Sequence, residues 1–204
     1  MNLRASAIFL SARPHGETAV IARFLTEEHG MLAGYVAGGR GRRMRPVVIP
    51  GNLVEAELRA KSDSQLPFAR LELVESRGPW LSEPLPAAAI NWVTALSASV
   101  LPERFAYPEL YAVLKAVLDA ICGAPSARGW LGGLVTYETL LLRDLGYGGG
   151  QAAQFAGFDA ALAAFDRLFT PIEKHLLAGT YGDVMSARIL LRTRLAKIIG
   201  TSHS

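Results

Sequence analysis

A chain of 204 residues, half of them apolar, can bury a core in one large or two small domains, which excludes a largely disordered protein. Its one cysteine, Cys122, excludes an internal disulfide and a thiolate-rich zinc site, and reads as a small buried hydrophobe in an apolar helical run. The formal charge of +3 is unevenly placed, because residues 1–80 hold 11 Lys/Arg against 8 Asp/Glu whereas residues 81–204 hold 10 of each. That bias assigns an anionic partner, nucleic acid first and an acidic protein surface second, to the first part of the chain.

The opening residues Met1 to Leu10 form too short an apolar run for a secretory leader and meet Arg13, His15 and Glu17 at once, so a cytoplasmic location is expected. Strands are predicted over Ala5 to Ala12, Thr18 to Leu25 and Met31 to Ala37, separated by turns at His15-Gly16 and Glu28-His29-Gly30. Two further strands show the period of two most clearly. Val54, Ala56 and Leu58 alternate with Glu55, Glu57 and Arg59, and Leu71 and Leu73 alternate with Arg70 and Glu72. Five short strands in about seventy residues suggest a small closed barrel, because closure removes exposed edges. Pattern alone leaves an OB-type and an SH3-like barrel both open.

Between the third and fourth predicted strands lies Gly38-Gly39-Arg40-Gly41-Arg42-Arg43-Met44-Arg45, a flexible, glycine-rich connector with four arginines in six residues. Guanidinium forks suit phosphate oxygens and glycines permit close backbone approach, so Arg40, Arg42, Arg43 and Arg45 are the leading DNA-binding candidates. A solvated basic turn would carry the same residues. Arg13 and Arg23 are candidates for secondary phosphate contacts. Phe24, Tyr35 and Phe68 are the aromatic residues available for base stacking, although side chains of this kind on strands ordinarily fill a core.

After Gly78-Pro79 the pattern turns helical, which places a boundary near residue 80 and divides the chain into residues 1–80 and 81–204. Helices are predicted over Ala87 to Val100, Pro108 to Ile121 and Gly129 to Leu145. The uncharged stretch from Pro84 to Pro102 is interrupted by Asn91, Thr94, Ser97 and Ser99, which favours a helix buried in protein over a membrane span. Gly146 to Gly150 reads as a flexible connector, Thr170-Pro171-Ile172-Glu173 as a capping box that places His175 on a helix, and Asp183 as the cap of a last helix ending at Gly200. Arg188, Arg192, Arg194 and Lys197 on that last helix either extend a DNA path or complement the helix dipole.

Nothing in the chain reads as a catalytic site. His15, His29, His175 and His203 are scattered, and no phosphate-binding loop with its lysine is present. The pairs Glu27-Glu28 and Glu55/Glu57 read as a solvated turn and the outer face of a strand. A binding protein with no catalytic residue, no metal and no cofactor is expected.

Several segments carry a family resemblance. Ala7-Ile8-Phe9-Leu10, Arg13-Pro14-His15-Gly16-Glu17-Thr18, Phe24-Leu25-Thr26-Glu27-Glu28-His29-Gly30 and Gly38-Gly39-Arg40 resemble, in order and spacing, the opening of the DNA repair protein RecO family. Gly41 to Pro46 and Pro50 to Ala56 look like the version found in relatives without zinc, and Tyr107 to Tyr111 and Glu138 to Tyr147 look like the helical part.

The resemblance covers most of residues 5–147 and implies an OB-fold barrel followed by an all-helical domain. It further implies a recombination mediator that binds single- and double-stranded DNA and anneals complementary strands without ATP. Such a mediator acts with RecR and single-stranded-DNA-binding protein in loading RecA. For such a protein the basic barrel is the DNA surface. Many relatives carry a four-cysteine zinc module after the Gly-Tyr or Gly-Phe pair, whereas Gly148 to Phe158 contains no cysteine here. Val135-Thr136 also replace the basic residues that some relatives place before the aromatic of that helix, which shifts the expected contact with single-stranded-DNA-binding protein to Arg143 or Arg128. A general single-strand-binding module and a protein adaptor that binds no DNA are the competing readings.

Overall fold

A computed structural model describes residues 2–62, 65–148, 154–179 and 184–200, with side chains through Ile198. Five strands come first: β1 (Asn2–His15), β2 (Ala19–Thr26), β3 (Gly30–Val36), β4 (Leu53–Arg59) and β5 (Phe68–Glu75). All five expected strands form, and β1 runs beyond its expected ends because its two parts serve different neighbours. Residues 2–8 pair with β4 and residues 7–15 pair with β2, with a register irregularity between Phe9 and Ser11 where the strand turns from one to the other. The sheet closes as a barrel in the order β1-β2-β3-β5-β4.

Closure rests on one short parallel contact, in which Tyr35 faces Phe68 and the Tyr35 N–H donates to the Pro67 carbonyl at 2.8 Å. A glycine makes that approach possible, since a Cβ on Gly34 would stand 2.7 Å from the Ala69 methyl. Inside, alternate residues of the strands, among them Ala7, Phe9, Ala22, Phe24, Val54, Ala56, Leu58 and Leu71, form one core. Phe9 and Phe24 meet edge to face at 5.9 Å.

The connector between β3 and β4 departs from expectation. β3 and β4 are not neighbours in the sheet, so residues 37–52 cross the barrel and do not form a hairpin. The segment is also folded into successive turns, with Gly41 N–H donating to Gly38, Met44 to Gly41, Val48 to Met44 and Asn52 to Ile49. Its far end is locked by the fully buried Asn52, whose Nδ2 donates to the carbonyls of Pro46 at 2.9 Å and Val47 at 3.1 Å while its Oδ1 accepts from Arg77 N–H at 2.7 Å.

The chain divides into two compact units, residues 1–83 with 94–111, and residues 84–93 with 112–204. In the first, residues 94–111 lie against the barrel: Met31 bridges Glu103 in parallel, and Arg104 N–H donates to the Met31 carbonyl at 2.8 Å. Gly30 is required there, with φ of +66° and the Phe105 carbonyl filling the place of a side chain.

The helices are α1 (Pro84–Val100), α2 (Pro108–Gly123), α3 (Leu131–Asp144), α4 (Phe158–Arg167), α5 (Phe169–Pro171) and α6 (Val184–Gly200). α1 opens at Pro84, ahead of its expected start at Ala87, whereas α2 opens at Pro108 and α6 ends at Gly200 as expected. No described helix is long and apolar enough to cross a membrane.

Three helical features correct or extend the sequence reading. α4 went unpredicted. Gly146, expected in a flexible connector, is a helix cap: at φ of +86° it donates to the Arg143 carbonyl while Tyr147 N–H donates to Leu142, the paired bonds of a Schellman motif. Thr170-Pro171-Ile172-Glu173 makes no capping box, because Leu168 and Pro171 are themselves helical and no side chain caps. Pro171 instead lies where one helical turn meets the next, and a π-turn over Ile172–Leu176, which contains His175, follows it. Asp183 lies outside the described residues.

A buried charge network lies within the second unit. Arg188 of α6 is 1% exposed, with Nη2 donating to Glu138 Oε2 at 2.8 Å and to the Phe165 carbonyl at 2.6 Å, and with its guanidinium 3.8 Å above the Phe165 ring. Trp92 Nε1 donates to the same carboxylate at 2.7 Å. Burial pushes the Glu138 carboxyl above the usual range, against the pull of Arg188 and of these hydrogen bonds. Arg188 therefore serves neither a DNA path nor the helix dipole.

Two outcomes are expected. Asn52→Ala leaves the Pro46 and Val47 carbonyls and the Arg77 N–H without a partner and should lower stability by at least about 2 kcal/mol in urea unfolding. Glu138→Gln strands a buried cation and should lower it by about 3–5 kcal/mol, whereas Glu138→Gln with Arg188→Met should recover most of the loss. Additive losses in the double variant would show that the two groups are not coupled.

Candidate nucleic-acid interface

The arginine-rich segment is shaped by its apolar residues. Val47 belongs to the barrel core, and Met44 and Val48 pack against that core partly buried. With Met44 turned inward, Arg42, Arg43 and Arg45 are left exposed, and among the described residues their side chains form no hydrogen bond or ion pair. Arg40 is placed differently. Its backbone N–H donates to the Thr18 carbonyl at 2.9 Å and its Nη1 to the Glu17 carbonyl at 3.0 Å, which ties the loop to the β1–β2 turn. The guanidinium of Arg40 is exposed but already donates one bond.

Arg13 is exposed near the end of β1, beside the same turn. Arg23 is not available in that way. Its guanidinium donates to the Ala98 carbonyl and pairs with Glu103 at 3.3 Å, so it holds residues 98–103 on the barrel. On the outer face of β4, Arg59 bonds Glu57 and thereby holds that carboxyl below its usual range.

The aromatic candidates separate into two groups. Phe24 is wholly buried in the core. Tyr35 is half-buried, and Phe68 stands 65% exposed on the barrel surface, its ring 5.2 Å from that of Tyr35. His15, read in the sequence only as part of a turn, meets the Tyr35 ring edge to face at 5.7 Å. Only cross-strand register could have signalled that grouping, since the three residues come from three strands.

The candidates for partner binding lie in the second unit. Arg143 pairs with Asp144 at 2.7 Å, and the Arg128 guanidinium lies 5.2 Å over the Phe158 ring. Arg192 pairs with Asp166 at 2.9 Å. Among the described residues, no cluster of three or more His, Cys, Asp or Glu is arranged to hold a metal ion.

A closed five-stranded barrel with an exposed cationic loop, followed in the chain by helices, defines a two-unit protein whose basic surface belongs to its first part. Residues 1–77 match the family model described as "Recombination protein O N terminal", and residues 82–149 match "Recombination protein O C terminal". The chain belongs to the recombination protein O family.

Among curated relatives, the "DNA repair protein RecO" of Rhodospirillum centenum is 43% identical over 143 residues, 70% of this chain and 56% of the relative. That of Rhodospirillum rubrum is 39% identical over 144 residues, 69% of this chain and 57% of the relative. That of Phenylobacterium zucineum is 37% identical over 149 residues, 72% of this chain and 60% of the relative. The matched region thus spans less than two thirds of each relative's length.

Single substitutions should separate the anchored arginines from the free ones. Arg23→Ala is expected to lower stability by about 1–2 kcal/mol, while Arg42→Ala and Arg43→Ala, whose side chains hold nothing in place, should each shift it by less than about 0.5 kcal/mol. Equal urea midpoints for all three would contradict the anchoring role of Arg23.

Proposed function

We propose that the barrel is of OB type and is a DNA-binding surface, and that the protein acts in DNA repair and recombination as a non-catalytic mediator. In this reading it binds single- and double-stranded DNA in the cytoplasm and anneals complementary strands without ATP. It cooperates with RecR and single-stranded-DNA-binding protein in the loading of RecA. The observation that carries the reading is the set of exposed guanidiniums at Arg42, Arg43 and Arg45, held outward by the inward-turned Met44 and unpaired among the described residues. Cations left unneutralised within the protein are available to phosphates, and their binding releases condensed counterions from the polynucleotide. Family membership supports the assignment to repair, and Arg40 and Arg13 add positive charge beside the same turn.

Binding through this loop is largely electrostatic. Each phosphate neutralised on a single strand contributes roughly 0.7 to the slope of log affinity against log salt, so four arginines account for a slope of at most about three. Replacing Arg40, Arg42, Arg43 and Arg45 together with alanine is expected to remove up to that much of the slope in a single-strand titration. It should also slow nucleotide-independent annealing of complementary strands at low salt. Unchanged slope and affinity would remove the loop from the interface, and a wild-type protein that fails to anneal would count against the mediator reading.

A further inference from the structure

The strand register aligns one row of side chains across all five strands in barrel order. Arg13 lies opposite Ile21, Ile21 opposite Tyr35, Tyr35 opposite Phe68, and Phe68 opposite Arg59. The row faces outward on β2 to β5, because the residues flanking it there, Val20, Ala22, Val36, Ala69 and Leu58, belong to the core. Directly opposed side chains of this kind stand roughly 5 Å apart.

A single solvent-facing phenylalanine needs no explanation, but this one is part of an ordered group. Phe68 is 65% exposed, its ring meets Tyr35 at 5.2 Å and 73°, and Tyr35 meets His15 at 5.7 Å and 88°. The group is continuous with the cationic loop, since Arg40 bonds the carbonyls of Glu17 and Thr18, two and three residues beyond His15. Arg13, exposed and without a side-chain partner among the described residues, ends the row on that side.

We infer that this row is a stacking platform for the unpaired bases of single-stranded DNA, with Phe68 the principal ring, Tyr35 and His15 extending it, and Arg13 and the loop arginines taking the phosphates. The inference rests on the proposed DNA-binding reading and adds to it a basis for telling single from double strand. In a duplex the base faces are covered by their neighbours, so a duplex reaches the loop arginines through its phosphates and leaves Phe68 in water. An unpaired strand uses both. Stacking of a base on an aromatic ring is tolerant of sequence, which suits a protein that must accept any strand.

The test compares two single-stranded probes of equal phosphate number, an oligothymidylate and an abasic deoxyribose-phosphate oligomer, titrated against the full chain across a range of salt. The wild-type protein should bind the oligothymidylate more tightly by fivefold or more. Phe68→Ala and Phe68→Leu should each weaken oligothymidylate binding roughly five- to a hundredfold, leave the abasic probe unaffected and keep the salt slope. Phe68→Tyr, which keeps the ring, should retain the preference.

The alanine variant of the four loop arginines should behave in the opposite sense, losing affinity and slope for both probes together. Equal wild-type affinity for the two probes, an unchanged Phe68→Ala titration, or a Phe68→Ala loss that is the same on both would overturn the platform and leave the loop reading standing. Failure of the wild-type chain to bind either probe would overturn both.

Discussion

The side-chain amide of Asn52 holds the arginine-loop end of the barrel in shape. It is wholly buried and satisfies three backbone groups at once, two carbonyls at the end of the arginine loop and the N–H that follows β5. An amide is the side chain that can both donate twice and accept in so small a space. Because Pro46 and Val47 are held there, Val47 enters the core and Met44 turns inward. Arg42, Arg43 and Arg45 then have no direction left but outward. A loop that glycine content alone would leave mobile is thereby given a fixed face.

The same arginine count serves several different ends in this chain, and the surroundings of each residue decide which. Arg23 is spent on the Ala98 carbonyl and Glu103, Arg59 on Glu57, Arg192 on Asp166, and Arg188 on a buried carboxylate and aromatic rings. In the first part of the chain, Arg42, Arg43 and Arg45 on the arginine loop and Arg13 near the end of β1 are exposed and have no such partner among the described residues. Burying Arg188 and Glu138 together is less a source of stability than a demand on geometry, since each charge is tolerable only while the other, Trp92 and the Phe165 carbonyl stay in place.

Membership in the recombination protein O family and the exposed guanidiniums are observations of different kinds. The first comes from residues spread over the two matched regions, 1–77 and 82–149. The second depends on one loop and on what its neighbours do not neutralise. The ring group of His15, Tyr35 and Phe68 adds a third element, apolar where the loop is charged, next to the same β1–β2 turn.

Local pattern was enough to read the five strands, the proline-led start of α2 and the arginine cluster, because alternation, capping and charge density are properties of neighbouring residues. It failed where a residue's role depends on a distant partner. Thr170 and Glu173 had the spacing of a capping box, but Thr170 already lies inside one helical turn and Glu173 inside the next, and Gly146 looked like linker while serving as a helix cap. The sequence by itself determined which side chains were available, namely the guanidiniums, the rings and the buried amide. Only the tertiary structure decided which arginines remain free and which rings meet, since Arg23 and Glu103 are 80 residues apart and Tyr35 and Phe68 come together only when β5 closes the barrel on β3.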